Sequence, residues 1–292
     1  MKALIPCLIT LFFLSLSFIN PKTFNPGKEY SLVPSGILAY GEKRITIQRF
    51  YIQKTEVTNK QYREFLSELL AEGKREDYEK AKVDSTGWLR YSPFMSKNYH
   101  SNPGYDEYPV VNVSREGALL YCKWLTEKFN EKSGVQVPVR LPVIEEWMYA
   151  AMGGKENAVM PWGGAFFCNT KGYYLLNFAV DSFYREIALA ARAQLEQSVN
   201  VMKHYHLGNL APEERTMFTT PAVSYWANGY GLYNICGNAA EMVSEEGRTT
   251  AGGSWETSGK YVLIQSQFDA YENVMQPSPG IGFRPVITYT GK

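Results

Sequence analysis

The stretch from Tyr230 to Trp255, Y-G-L-Y-N-I-C-G-N-A-A-E-M-V-S-E-E-G-R-T-T-A-G-G-S-W, constrains this chain more than any other. Asn234, Gly237, Ala239 and Glu241 fall close together, with a glycine that breaks any regular element. They offer a side-chain amide, a carboxylate and backbone carbonyls on a tight turn. Hard cations such as Ca²⁺ favour an all-oxygen set of this kind. The plainer account is a polar turn whose Asn and Glu satisfy backbone donors. Composition alone favours the plainer account.

Length and composition bound the alternatives. The chain has 292 residues, enough for one large domain or two small ones. Hydrophobic residues make up 45% and charged ones 20%, which suits a buried core and argues against disorder. Thirty basic residues against 29 acidic ones leave no basic excess, so nucleic acid is not an expected partner. Abundant Tyr (21) and Gly (24) point to an aromatic, loop-rich fold rather than a helical bundle. Lys2 followed by the apolar run Ala3–Ile19 has the layout of a secretory signal peptide. Residues 1–24 are therefore expected to be a signal peptide or N-terminal anchor. The chain would then be exported, in the periplasm or at the outer membrane, with 3–19 able to hold it to a membrane. Apart from Cys7, Cys122, Cys168 and Cys236 remain, an odd number that leaves at least one thiol unpaired or paired between chains.

Along the chain, residues 28–55 alternate apolar and polar types and read as short strands joined by turns. Thr58 with Gln61 makes a capping box, and Tyr62, Phe65, Leu66 and Leu69 follow at helical spacing. Residues 73–108 read as a long ordered loop, rich in Trp88, Tyr91, Phe94, Tyr99, His100 and Tyr105. These aromatics would either pack over the core or line a ligand groove. Ser114 caps a second helix whose apolar face carries Ala118, Tyr121, Cys122, Leu125 and Phe129, with Gly134 just past its end. Arg140 is expected to pair with a nearby acid such as Glu146. Phe183, Ile187, Ala191, Leu195, Val199 and Met202 repeat at helical spacing, so residues 181–213 read as a helical insertion. His204 and His206 within it have no evident third ligand and read as a surface pair.

The wording of these blocks is more specific than their composition. E-V-T-N, P-V-V-N-V-S leading to Y-C-K-W-L, R-L-P-V-I-E-E-W-M-Y-A-A-M-G-G, P-W-G-G, G-L-Y-N-I-C-G-N-A-A-E, G-G-S and the closing G-F-R stand in one order. Together they resemble the formylglycine-generating enzyme (sulfatase-modifying factor) family over roughly residues 29–287. The resemblance implies an α+β, loop-rich fold related to C-type lectins, as one domain over 25–292. It also implies a structural calcium at Asn234, Gly237, Ala239 and Glu241. A second calcium site would use Asn177, but its Asp position falls near Glu213-Glu214-Arg215, where no Asp stands. Val143 replaces the family's capping threonine.

The catalytic block departs from the family. Active members read G-G-S-x-x-C-x-x-x-x-C and hold copper(I) on the two thiolates, soft ligands for a soft ion. Here Gly252-Gly253-Ser254 is kept, but Thr257 and Val262 stand at the cysteine positions. No arginine lies between Arg248 and Arg284, so the family's basic segment is missing too. Copper and formylglycine-generating activity are therefore not expected. A non-catalytic scaffold or binding protein, with a protein partner in the cell envelope, is the leading expectation. Asp84–Arg90 (D-S-T-G-W-L-R) and the following N-P-G-Y-D-E-Y-P-V-V look similar to gliding-motility and type IX secretion lipoproteins of Bacteroidetes. The alternative is an oxidase or other enzyme with altered chemistry at Ser254, Trp255 and Glu256. For that, Ser254 would need a base within reach, and no histidine is evident.

Overall fold

A computed structural model describes residues 25–134, 136–180, 218–244, 249–272, 274 and 276–288. The proposed leader at 1–24, the helical insertion at 181–213 and the His204/His206 pair lie outside the described residues. β1 (Tyr30–Val33) pairs antiparallel with β4 (Phe50–Gln53), and between them β2 (Gly36–Tyr40) and β3 (Lys43–Ile47) form a separate hairpin. Short alternating runs broken by Pro34-Ser35 and Gly41-Glu42 supply the strands and turns that the sequence leads one to expect.

α1 (Asn59–Ala71) starts at a reciprocal cap. Thr58 Oγ1 accepts the Gln61 N–H at 3.3 Å, and Gln61 Oε1 accepts the Thr58 N–H at 3.0 Å. Its face of Tyr62, Phe65 and Leu69 is buried. Residues 73–108 are not one loop. They hold α2 (Arg75–Ala81), a 3-10 turn at Ser85–Arg90, α3 (Pro93–Asn98) and a second such turn at Pro103–Tyr105. Asp84, Ser92 and Asn102 each accept a backbone N–H at the start of the next turn, at 3.0, 3.3 and 2.9 Å. These pieces are too short to show a period, so only their caps could have announced them.

α4 (Arg115–Ser133) begins where Ser114 Oγ accepts the Gly117 N–H at 2.9 Å and ends at Gly134, whose φ is 67°. Tyr121 and Cys122 are buried against α1, with the Tyr62 and Tyr121 rings stacked at 5.7 Å. β5 (Val139–Arg140) leads to α5 (Ile144–Ala151). Val143 gives α5 no side-chain cap, and the Glu146 carboxylate reaches back to its N–H at 3.1 Å. Arg140 grips Glu146 through two 2.7 Å hydrogen bonds, as expected.

The remaining strands are short: β6 (Ala240–Met242), β7 (Thr250–Ala251), β8 (Ile281–Gly282) and β9 (Val286–Ile287). β9 inserts between β4 and β5, so one sheet runs β1-β4-β9-β5 and ties the two ends of the described chain together. β6 is central in a second sheet, antiparallel to β7 and parallel to β8. Among the described residues the apolar core has three lobes. One surrounds Trp147, Phe50 and Ile52; a second surrounds Tyr62, Phe65, Tyr121 and Phe283; an aromatic third holds Trp88, Tyr99 and Trp255. Trp88 and Tyr99 thus pack over the core, with Tyr91, Tyr105 and Tyr108 partly buried against them, as the first of the two readings has it; Phe94 is exposed and does not.

Candidate functional site

The turn 234–241 runs into β6, where side chains alternate between the two faces of the strand. Glu241 is wholly buried. Arg284 donates to it from Nη2 at 2.6 Å and from Nε at 2.9 and 3.0 Å, and Trp147 Nε1 donates at 2.8 Å. The guanidinium also reaches the backbone oxygens of Gln53 and Tyr233, at 3.0 and 2.7 Å. Arg284 is as buried as Glu241, so the pair is a fully desolvated ion pair joining β6 to the C-terminal segment. Glu56 lies alongside, its Oε1 accepting from Asn238 Nδ2 at 2.8 Å and its Oε2 3.9 Å from Arg284. Burial pushes the Glu56 carboxyl up to about 8, against the pull of the Arg284 cation.

Asn234 is placed differently. Its backbone is left-handed (φ 49°), and its Nδ2 is held by the carbonyls of Pro221 and Ala222 at 3.1 and 3.3 Å. Its Oδ1 is closed off from solvent without a hydrogen-bond partner. A hollow of about 10 Å³ opens beside it, about the space one water or ion needs. Gly237 follows with φ 77°, and a Cβ there would lie 2.3 Å from the Asn177 carbonyl oxygen. Ala239 is buried in the aromatic lobe. The expected calcium set therefore divides. Asn234 presents a buried oxygen without a hydrogen-bond partner, whereas both carboxylate oxygens of Glu241 are spent on Arg284 and Trp147. Asn177, the residue matching the second calcium site, uses its Nδ2 on Phe218 O at 2.8 Å and Asn238 Oδ1 at 3.3 Å. Among the described residues, no three His, Cys, Asp or Glu side chains gather as a metal cluster.

The G-G-S block lies where β7 leaves the second sheet. Thr257 Oγ1 and Val262 Cγ1 each lie 2.8 Å from the point a Cβ on Gly253 would occupy, so the fold brings the two positions side by side. Thr257 Oγ1 accepts the Ser254 N–H at 2.8 Å and donates to the Ser254 carbonyl at 3.1 Å. Val262 is fully buried hydrocarbon. A committed hydroxyl and an isopropyl group do not fit a soft copper ion.

Beside this block lies a cleft of about 620 Å³. Arg90, Glu256, Ser258, Tyr261, Tyr271 and Pro279 are among its walls. Glu256 is the point where three distant segments meet. Tyr271 Oη donates to its Oε1 at 2.8 Å, and Arg90 Nη2 donates to its Oε2 at 3.1 Å. Tyr91 Oη also donates to that second oxygen. Ser254 Oγ shares a hydrogen bond with Tyr271 Oη at 2.6 Å. Gly280 leaves room for this, since a Cβ there would lie 1.9 Å from Tyr271 Oη and 2.5 Å from Glu256 Oε1. Ser254 is wholly buried, and burial holds the Tyr271 phenol well above its ordinary range. Tyr271 therefore keeps its proton and donates it in a hydrogen bond to Glu256, so it cannot take one from Ser254, and a Ser nucleophile needs a base that can. Trp255 stacks nearly parallel on Trp88 at 6.1 Å, with Nε1 donating to Pro279 O at 3.0 Å.

Sequence reasoning found Ser254, Glu256, Thr257 and Val262 but missed Arg90, Tyr91 and Tyr271 as their neighbours. It also missed that Glu56 and Arg284 close on Glu241. No local pattern announces such contacts, because their partners are remote along the chain.

The family model described as the sulfatase-modifying factor enzyme 1-like domain matches residues 17–289. Formylglycine-generating enzyme of Bos taurus is 26% identical over 228 residues, covering 70% of this chain and 50% of that one. Inactive C-alpha-formylglycine-generating enzyme 2 of Bos taurus is 26% identical, covering 87% of this chain and 84% of the other. The structure of PvdO from Pseudomonas aeruginosa superimposes with a TM-score of 0.56 at 17% identity, over 92% of this chain and 99% of that one, a likeness of fold alone. This chain spans about half the length of the first formylglycine-generating enzymes that it matches.

Proposed function

The chain belongs to the sulfatase-modifying factor enzyme 1-like domain family, and from that premise we propose that it is an exported, non-catalytic scaffold or binding protein of the cell envelope. The observation that carries this reading is the pair Thr257 and Val262, adjacent in the fold yet with no soft ligand between them. A relative of similar length is itself named inactive. The cleft beside Glu256 is then a surface for holding a segment of a partner protein, with the exposed Arg90 at its rim. The Asp84–Arg90 segment, whose Gly87 and Arg90 line the cleft, is the stretch that looks similar to secretion and gliding lipoproteins, so the reading extends to such a machine. Residues 3–19 would direct export or anchor the chain to a membrane. Calcium would bind at Asn234, with the carbonyls of Gly237 and Ala239, and would act structurally.

The second reading, an enzyme with altered chemistry, is favoured by one observation: the Ser254–Tyr271–Glu256 hydrogen-bonded chain beside an open cleft. A photo-crosslinking amino acid at position 90, in cells, separates the two. One envelope protein captured there, and not from a distant position such as Lys80, is expected of the scaffold. No protein adduct, with a small molecule co-purifying in the cleft, would replace the scaffold reading by the enzyme. For calcium, chelator should lower the melting temperature of the wild type but not of Asn234→Ala. Equal melting with and without chelator would remove the ion.

A further inference from the structure

His100 stands outside the cleft and outside the turn, and it holds a position of consequence. Asn59, at the first turn of α1, spends its Nδ2 on the carbonyls of Tyr99 and Tyr105, at 3.1 and 3.0 Å. Its Oδ1 can therefore only accept, and it faces His100 Nδ1 at 3.1 Å. The imidazole must carry its hydrogen on Nδ1, which leaves Nε2 as a bare acceptor. That Nε2 is sealed from water and has no partner. Arg63 Nη1 donates to the His100 carbonyl at 2.9 Å, while its Nη2 is paired with Asp106. The backbone N–H groups of Asn59 and Lys60 donate to Tyr108 O and Asp106 O, at 2.9 and 3.1 Å. The 99–108 segment thus hangs on the first turns of α1, with His100 between them.

We propose that His100 is an acid-sensitive latch, and that its protonation releases residues 99–108 from α1 and loosens the wall of the cleft. A proton on Nε2 creates a donor with no acceptor in reach among the described residues. It also puts a second cation beside Arg63. Among the described residues the charged group acting on the ring is Arg63 of α1, and Asp106 of the segment is already engaged by Arg63. The Tyr99 ring meets it edge-on at 5.0 Å. Among the described residues none offers the imidazolium a free anion, so the ring must turn to water and give up Asn59. Burial and the Arg63 cation hold the neutral form in place, pulling the imidazole down to about 3.

The release has a path to the cleft. Tyr99 Oη donates to Pro109 O at 2.7 Å and shares a hydrogen bond with Thr219 at 2.8 Å, and its ring lies on Trp88 at 4.7 Å. Trp88 stacks on Trp255, next to Glu256, and Arg90 and Tyr91 follow Trp88 directly. The consequence for a bound partner rests on the scaffold reading; the latch does not.

Hydrogen exchange of the intact protein, from pH 7.5 to 4, tests it without any ligand. Exchange in 99–108 is compared with that in α4 of the same molecule, which cancels the intrinsic pH dependence. The wild type should lose at least about tenfold of its relative protection by pH 4, with a change in tryptophan fluorescence as Tyr99 leaves Trp88. His100→Asn keeps a donor for Asn59 but cannot titrate, and should retain its protection. Arg63→Gln should move the loss to higher pH. Full protection of the wild-type segment at pH 4, or the same loss in His100→Asn, overturns the latch. Should His100→Asn fail to fold, an unchanged midpoint in Arg63→Gln overturns it equally.

Discussion

Arg284 shows how far a single side chain can reach. Its guanidinium joins β6, the end of β4 and the turn at Tyr233 in one buried fork. Removing one partner of a buried pair leaves an uncompensated charge. Arg284→Met should therefore cost about 3–5 kcal/mol in chemical denaturation, far more than a surface arginine. Replacing Arg284 and Glu241 together by apolar residues of similar volume should recover much of that loss. If the single variant unfolds at the wild-type midpoint, the pair is not the clasp described. Gly237 is constrained by backbone rather than by charge. A side chain there meets the Asn177 carbonyl oxygen at 2.3 Å in a left-handed conformation, so Gly237→Ala should destabilise by more than the ~1–2 kcal/mol of the conformation alone.

At the scale of elements, the loop from Gly252 to Val262 folds so that two of its side chains approach one another. Thr257 and Val262 flank the same point beside Gly253. The double variant Thr257→Cys, Val262→Cys should bind copper(I) in competition with a chromogenic chelator, and neither single variant should match it. Equal weak binding by all three would mean that the positions no longer face one another. α4 offers a simpler check. Ser114→Ala removes the acceptor for the Gly117 N–H and should cost about 1 kcal/mol.

For the whole molecule, two buried groups give stability a pH profile with opposed slopes. The folded His100 refuses a proton until about pH 3, whereas an unfolded histidine takes one near 6.5. Its contribution is present above 6.5 and is lost as pH falls toward 3. Glu56 behaves oppositely: the folded carboxyl keeps its proton to about 8, against an ordinary 4.5. Its contribution is present below 4.5 and is lost as pH rises toward 8. Each slope is about 1.4 kcal/mol per pH unit. The two oppose one another between 4.5 and 6.5, so stability should plateau there and fall on both sides. Glu56→Gln should flatten the alkaline side in denaturation series at several pH values; a wild-type midpoint that does not change between pH 6.5 and 8 would contradict the assignment.

Local rules were legible in the chain itself. The capping box at Thr58, the Ser114 cap, the Gly134 stop and the Arg140–Glu146 pair follow from residues a few positions apart, whose interactions need no tertiary contact. Family blocks in order were enough to expect an α+β fold, and to expect Thr257 and Val262 to stand where active members of the family carry cysteines. The sequence could not show what Glu241 faces. A carboxylate on a turn suits a cation, a backbone donor or a guanidinium equally, and only the fold brings Arg284 to it. Nor could it gather Arg90, Tyr91, Tyr271 and Ser254 around Glu256, or close Asn59 and Arg63 over His100. Short-range geometry is written in spacing, whereas burial and long-range pairing depend on which distant surfaces the core forces together.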